Sequence, residues 1–140
     1  MQYKIEHIKI RTYQSLLVPV GNVLYTQKSI KHCFTDGKRL EDMIEQLRRK
    51  TCNAETAKFL RLDAMLYKIH GPNSSPVLLA INNRRLWCLK EYQKRTHEVV
   101  RVQLNVHTWP DVGLQFLRNF DATSNGQNVK VRARGQRRAC

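Results

Sequence analysis

Pro76-Val77-Leu78-Leu79-Ala80-Ile81-Asn82-Asn83-Arg84-Arg85-Leu86-Trp87 changes character halfway along, from an unbroken apolar run to two amides and two cations. An apolar run of that length with no polar alternation reads as a strand covered on both faces. Beyond it Leu86, Trp87, Leu89, Lys90, Tyr92 and Gln93 follow the spacing of an amphipathic helix. A buried strand that enters a helix through short polar residues gathers free backbone N–H groups and the positive helix end at one point. Arg84 and Arg85 add guanidinium donors suited to phosphate there. The competing reading is equally simple: Asn82 or Asn83 caps the helix, and the arginines lie on a solvated face.

Outward from this junction, Leu62–Ile69 is strand-like and meets Pro76–Ile81 through Gly71-Pro72-Asn73-Ser74-Ser75, which predicts a hairpin. Val99–Val106 alternates as a further strand, and Pro110–Phe120 reads as a helix begun by its proline. Leu40, Met43, Ile44 and Leu47 fall on one helical face, with Glu41 and Asp42 early and Arg48, Arg49 and Lys50 late, the charge order that a helix dipole favours. Asn53 caps a short helical turn running through Phe59. Nearer the start, Tyr3–Ile10 and Leu16–Tyr25 predict a hairpin, the second half broken at Pro19-Val20-Gly21-Asn22. Thr26–Phe34 reads as a short helix stopped at Asp36-Gly37. The expected class is α+β: a compact domain over residues 1–121 with a small mixed sheet and flanking helices. Residues 122–140 have no apolar periodicity and read as an extended basic C-terminal arm.

The chain has 140 residues, with 25 Lys and Arg against 11 Asp and Glu, a net charge of +14. That surplus calls for a polyanion, and nucleic acid is the expected one, because neither an apolar spanning segment nor an amphipathic basic helix points to a membrane. The start of the chain has no signal-peptide core, so cytoplasm, or else nucleus, is the expected compartment. Cys33, Cys52, Cys88 and Cys140 form no Cys-x-x-Cys pair, and His7, His32, His70, His97 and His107 complete no zinc spacing. No metal and no cofactor are expected, and the thiols read as small packing residues. No histidine has a serine or cysteine partner at a triad spacing. Asp36 reads as a turn residue, and Trp87, Tyr92 and Trp109 as core aromatics rather than base-stacking ones.

Three segments in order carry a family resemblance: Leu24-Tyr25-Thr26-Gln27-Lys28-Ser29-Ile30, Phe34-Thr35-Asp36-Gly37-Lys38-Arg39-Leu40, and the strand ending in Asn82-Asn83-Arg84-Arg85-Leu86-Trp87. Over about residues 20–106 the chain resembles the ParB/sulfiredoxin-like superfamily, closest to its small members with a "DNRRL" stretch. The resemblance implies a compact α/β domain whose strand-to-helix turn cradles phosphates, with Asn82, Asn83, Arg84 and Arg85 as the phosphate-facing residues. Two departures matter. Sulfiredoxin-type chemistry needs a cysteine in the turn, and the first thiol here is Cys88, one helical turn inside. Partitioning proteins carry an acidic residue in the turn, and here Asn82 and Asn83 stand instead, which removes the charge that would hold a metal or act as a base.

The expected function is therefore non-catalytic RNA binding, as a structural component of the ribosome or another large ribonucleoprotein, beside rRNA and neighbouring proteins. The phosphate-contacting set is Asn82, Asn83, Arg84, Arg85, Lys38 and Arg39 in the domain, with Lys130, Arg132, Arg134, Arg137 and Arg138 in the arm. Duplex RNA would be read by shape and phosphate with little sequence preference. If the five basic residues of the arm meet phosphates, affinity falls with salt on a log–log slope of about −3 to −4. The alternatives are a ParB-like nuclease or nucleotide-binding enzyme using Arg84 and Arg85, and a DNA-binding module.

Overall fold

The computed structural model describes residues 13–68, 73–107, 121 and 126–132. The expected strand Tyr3–Ile10 and helix Pro110–Phe120 lie outside them. The chain folds as a mixed α+β structure in the order β1 (Tyr13–Pro19), β2 (Val23–Leu24), β3 (Ser29–Ile30), α1 (Leu40–Arg48), β4 (Leu62–Tyr67), β5 (Val77–Ala80), α2 (Asn83–Thr96), β6 (Arg101–His107) and β7 (Lys130–Val131). Five strands form one sheet in the order β1-β6-β4-β5-β2, and β3 pairs with β7 in a parallel two-stranded sheet.

The apolar run Val77–Ala80 sits between β4, antiparallel to it, and β2, parallel to it. Leu78 and Ala80 face the main core while Leu79 joins Leu24 and Met65 in a smaller cluster. Burial on both faces is why this strand shows no polar alternation. The expected β4–β5 hairpin forms. Two of the expected helices form as well: Leu40, Met43, Ile44 and Leu47 are buried along α1, and Leu86, Cys88, Leu89 and Tyr92 along α2.

At the N-terminal side the pairing is set by residues far away in the sequence. The hairpin expected between Tyr3–Ile10 and Leu16–Tyr25 lies partly outside the described residues; within them β1 pairs antiparallel with β6, and a 3-10 turn at Val20–Asn22 carries the chain to β2 at the opposite edge of the sheet. Four residue steps from Pro19 to Val23 reach about 14 Å. Four flat strand spacings are about 19 Å, so the sheet curls to bring its edges together. The predicted helix over Thr26–Phe34 does not form. Its backbone is drawn into other pairings: Ser29 and Ile30 pair with Lys130 and Val131, and Cys33 bridges Arg39. The Asp36-Gly37 pair makes a tight turn instead of a helix stop, with Phe34 N–H donating to the Lys38 carbonyl at 2.8 Å and Lys38 N–H donating to Asp36 Oδ1 at 3.0 Å.

Part of the presumed arm belongs to the fold. Tyr25 N–H donates to the Gly126 carbonyl, Lys130 N–H to the Lys28 carbonyl and Arg132 N–H to the Ile30 carbonyl. Val129 and Val131 pack against the core. Gly126 has φ +78°, and a Cβ there would stand 2.6 Å from the Tyr25 carbonyl oxygen. Gly37 has φ +89° with open space around it. Gly126→Ala is therefore expected to cost about 2–3 kcal/mol in urea denaturation, while Gly37→Ala carries only the backbone strain of about 1–2 kcal/mol. Equal losses would mean that 126–132 does not dock.

On α2, Lys90 holds its ammonium 4.8 Å from the centre of the Tyr25 ring, and burial pushes its pKa down to about 8. Burial also pushes the Tyr25 phenol up. In the unfolded chain Lys90 keeps its proton to near the ordinary 10.5, so the unfolded state binds more protons above about pH 8 and stability rises with pH there. Thermal melts from pH 7.5 to 9.5 are expected to show a gain of about 1–2 kcal/mol, which Lys90→Met abolishes by removing the buried charge.

Candidate functional site

The end of β5 and the start of α2 are tied to the segment after β2 by hydrogen bonds within the core. Thr26 and Asn83 are the buried polar side chains among the described residues. Asn83 Oδ1 accepts from Thr26 N–H at 2.8 Å, and Asn83 Nδ2 donates to Thr26 Oγ1 at 2.8 Å and to the Ile81 carbonyl at 3.3 Å. Thr26 Oγ1 donates to the Ala80 carbonyl at 2.7 Å. Each polar group thus exchanges water for a protein partner, which is what makes their burial affordable. Asn82 occupies the N-cap position of α2, yet its side chain makes no capping bond. Its Oδ1 accepts from Asp63 N–H at 2.5 Å on β4 instead.

These bonds shape a cleft of about 420 Å³ lined by Gln27, Phe34, Thr35, Asp36, Phe59 and the Ile81–Arg85 turn. Its positive charge comes from Arg84 and Arg85. Arg84 Nη1 donates to the Cys33 carbonyl at 2.9 Å and Nη2 to Thr35 Oγ1 at 3.3 Å. Arg85 Nη1 donates to the Arg61 carbonyl at 3.0 Å, and its guanidinium lies 5.0 Å from the centre of the Phe59 ring. All these partners are neutral, so they aim the guanidiniums without cancelling their charge. Among the described residues the ion pairs join other side chains, Glu45 with Arg48 and Arg49, Arg95 with Glu41 and Glu91, and Asp63 with His107. The first turn of α2 has no acidic residue, so its dipole adds to the same positive potential.

The sequence-selected residues divide accordingly. Arg84 and Arg85 come together on the cleft. Asn82 and Asn83 line it as well; Asn82 Oδ1 is held by Asp63 N–H, and Asn83, only 3% exposed, spends its amide on Thr26 and the Ile81 carbonyl. Lys38 and Arg39 are exposed in the chain just past Asp36 without lining the cleft. Lys130 is exposed on β7, and Arg132 donates from Nη1 to Ser29 Oγ at 3.0 Å. Arg134, Arg137 and Arg138 lie outside the described residues. Cys88 is buried, donates to the Leu40 carbonyl and has its thiol pushed up by burial, which makes it a packing residue. Among the described residues no group of three His, Cys, Asp or Glu side chains could hold a metal ion.

Sequence reading missed Phe59 and Gln27. Nothing in a lone Phe after a lysine, or a Gln before one, signals a cleft; their place follows from the turn at Lys58–Leu60 and from Thr26 being pinned to Asn83. A second cleft of about 280 Å³ lies at the far end of α2, and there Lys50 and Arg101 are offset by Glu55 and Glu98. Its cations and carboxylates balance, whereas the first cleft sets Arg84 and Arg85 against Asp36 alone. Compared with known proteins, the chain matches no protein-family model and no curated sequence.

Replacing Asn83 by Ala leaves the Thr26 N–H buried without an acceptor. Stability is expected to fall by about 1–3 kcal/mol, whereas Asn82→Ala, at a half-buried site, costs less. Chemical denaturation of the two variants side by side checks the order, and a neutral Asn83→Ala would refute the structural role assigned to this network.

Proposed function

We propose that the protein binds RNA without catalysis, through backbone phosphates, as a component of a ribonucleoprotein such as the ribosome, and that the cleft at the start of α2 seats one or two of those phosphates. The observation that carries this reading is the pair Arg84 and Arg85: two guanidiniums held by neutral acceptors, with no carboxylate paired to them among the described residues, at the positive end of a fourteen-residue helix. A charge-assisted bond from each arginine to a phosphate oxygen would satisfy donors that the protein leaves open. The net charge of +14 supports a polyanionic partner. The likeness to ParB/sulfiredoxin-like domains belongs to the same proposal, since its phosphate-cradling turn corresponds to Asn82–Arg85. Among the described residues no helix is long and apolar enough to cross a membrane.

Asp36 favours the hydrolytic alternative, being the carboxylate that lines the cleft. It accepts from Lys38 N–H, which commits one oxygen to the turn. Labelled RNA incubated with magnesium, with Asp36→Asn as control, distinguishes the two readings: turnover that vanishes in the variant would replace binding by catalysis.

For the binding reading, Arg85→Gln is expected to lower the log–log salt slope by about 0.7–0.9, and Arg85→Lys to preserve the slope while weakening affinity, because lysine keeps the charge but loses the planar fork. Replacing Arg134, Arg137 and Arg138 together by Gln in the full chain should reduce the slope by about 2. Fluorescence anisotropy over a salt series measures both. Slopes unchanged in every variant would end this proposal.

A further inference from the structure

Phe59 is 40% exposed and stands at the lip of the cleft. Its ring meets Phe34 edge-on, with centroids 5.0 Å apart and planes at 78°, and the Arg85 guanidinium lies 5.0 Å from its centre. The backbone beneath is fixed: Leu60 is fully buried, Leu60 N–H donates to the Ala57 carbonyl and Arg61 N–H to the Lys58 carbonyl. An exposed phenyl ring thus stands against the Arg85 guanidinium in the cleft that Arg84 also lines, with Lys58 and Arg61 exposed on either side. A ligand that suits this place carries anionic charge for the arginines and a flat apolar surface for the ring. Nucleotides have both. In a duplex the bases are stacked inward and only the charge is presented; in a single strand a base is free to turn out.

We infer that Phe59 is a stacking platform for one unpaired base of single-stranded RNA whose adjoining phosphate lies on Arg84 and Arg85. This rests on the phosphate-binding reading of the cleft and narrows it from RNA in general to single strands, replacing the duplex expected from the sequence. Gln27 lines the same cleft and would supply an amide for the edge of the stacked base. Base–aromatic stacking tolerates any sequence, since every base has a π face.

The test uses the full chain and labelled twelve-nucleotide oligouridine, beside an RNA duplex of equal length, by anisotropy at one salt concentration and then over a salt series. The single strand should bind more tightly. Phe59→Leu should weaken it roughly five- to hundredfold while leaving the salt slope and duplex affinity unchanged, and Phe59→Trp should keep the affinity. Single-stranded DNA showing the same loss would support stacking independent of the sugar. If Phe59→Leu fails to fold by circular dichroism, quenching on adding oligouridine that is greater in Phe59→Trp than in the wild type, whose indoles are Trp87 and Trp109, supplies the same evidence, and equal quenching counts against stacking. Equal binding of wild type and Phe59→Leu, or tighter binding of the duplex, overturns the platform but leaves phosphate binding standing. Failure of the wild type to bind either RNA at low salt overturns both.

Discussion

The buried exchange of hydrogen bonds between Thr26 and Asn83 is the constraint on which the cleft depends. It joins three parts of the chain far apart in sequence: the exit from β2, the last carbonyl of β5 and the first residue of α2. Both side chains are almost wholly removed from water, and an unmet donor or acceptor there would cost more than an ordinary surface bond contributes. The pairing therefore has one low-energy arrangement. With it in place, Gln27 faces the Asn82–Arg85 turn and the Phe34–Asp36 turn closes the side. The bond from Asn82 to Asp63 then fixes the same turn to β4, so the start of α2 is held from two directions.

A second consequence concerns charge. Arg84 and Arg85 are positioned by carbonyl and hydroxyl oxygens, whereas the arginines of α1 and the end of α2 are met by Glu45, Glu41 and Glu91. These glutamates lie away from the cleft, where Asp36 is the lining carboxylate among the described residues. A neutral acceptor orients a guanidinium and leaves its net charge intact, so the potential of the site survives folding. The partnering of Phe59 with Arg85 adds an apolar surface beside that charge, a combination that charge-counting along the sequence does not register.

The docked segment 126–132 alters how the end of the chain is understood. Composition alone classed everything after Asp121 as an arm, since seven residues with two valines cannot form a core by themselves. They do not need one: the backbone of Tyr25–Ile30 offers donors and acceptors along an edge, and Gly126 lets the two chains approach where any side chain would collide with Tyr25. Asp121 takes part too, its carboxylate accepting from Lys28 N–H at 2.9 Å. The segment that bears Gln27 is thus supported on both sides.

What the residue order determined by itself was everything governed by neighbours within one helical turn or one strand. The apolar stripe of Leu40, Met43, Ile44 and Leu47, the doubly buried run Val77–Ala80, its hairpin with β4, the amphipathic start of α2 and the surplus of cations were all legible, because period, burial and charge are local properties. Tertiary structure alone decided that Thr26–Phe34 is not a helix, that β1 and β2 lie at opposite edges, that Asn82 and Asn83 tie the turn to Asp63 and Thr26, and that Phe59 joins Arg85. Each of those outcomes depends on a hydrogen-bond or ring partner tens of residues away, and a helical spacing as short as Ile30, Cys33 and Phe34 is too weak to compete once strands and buried amides claim the same backbone.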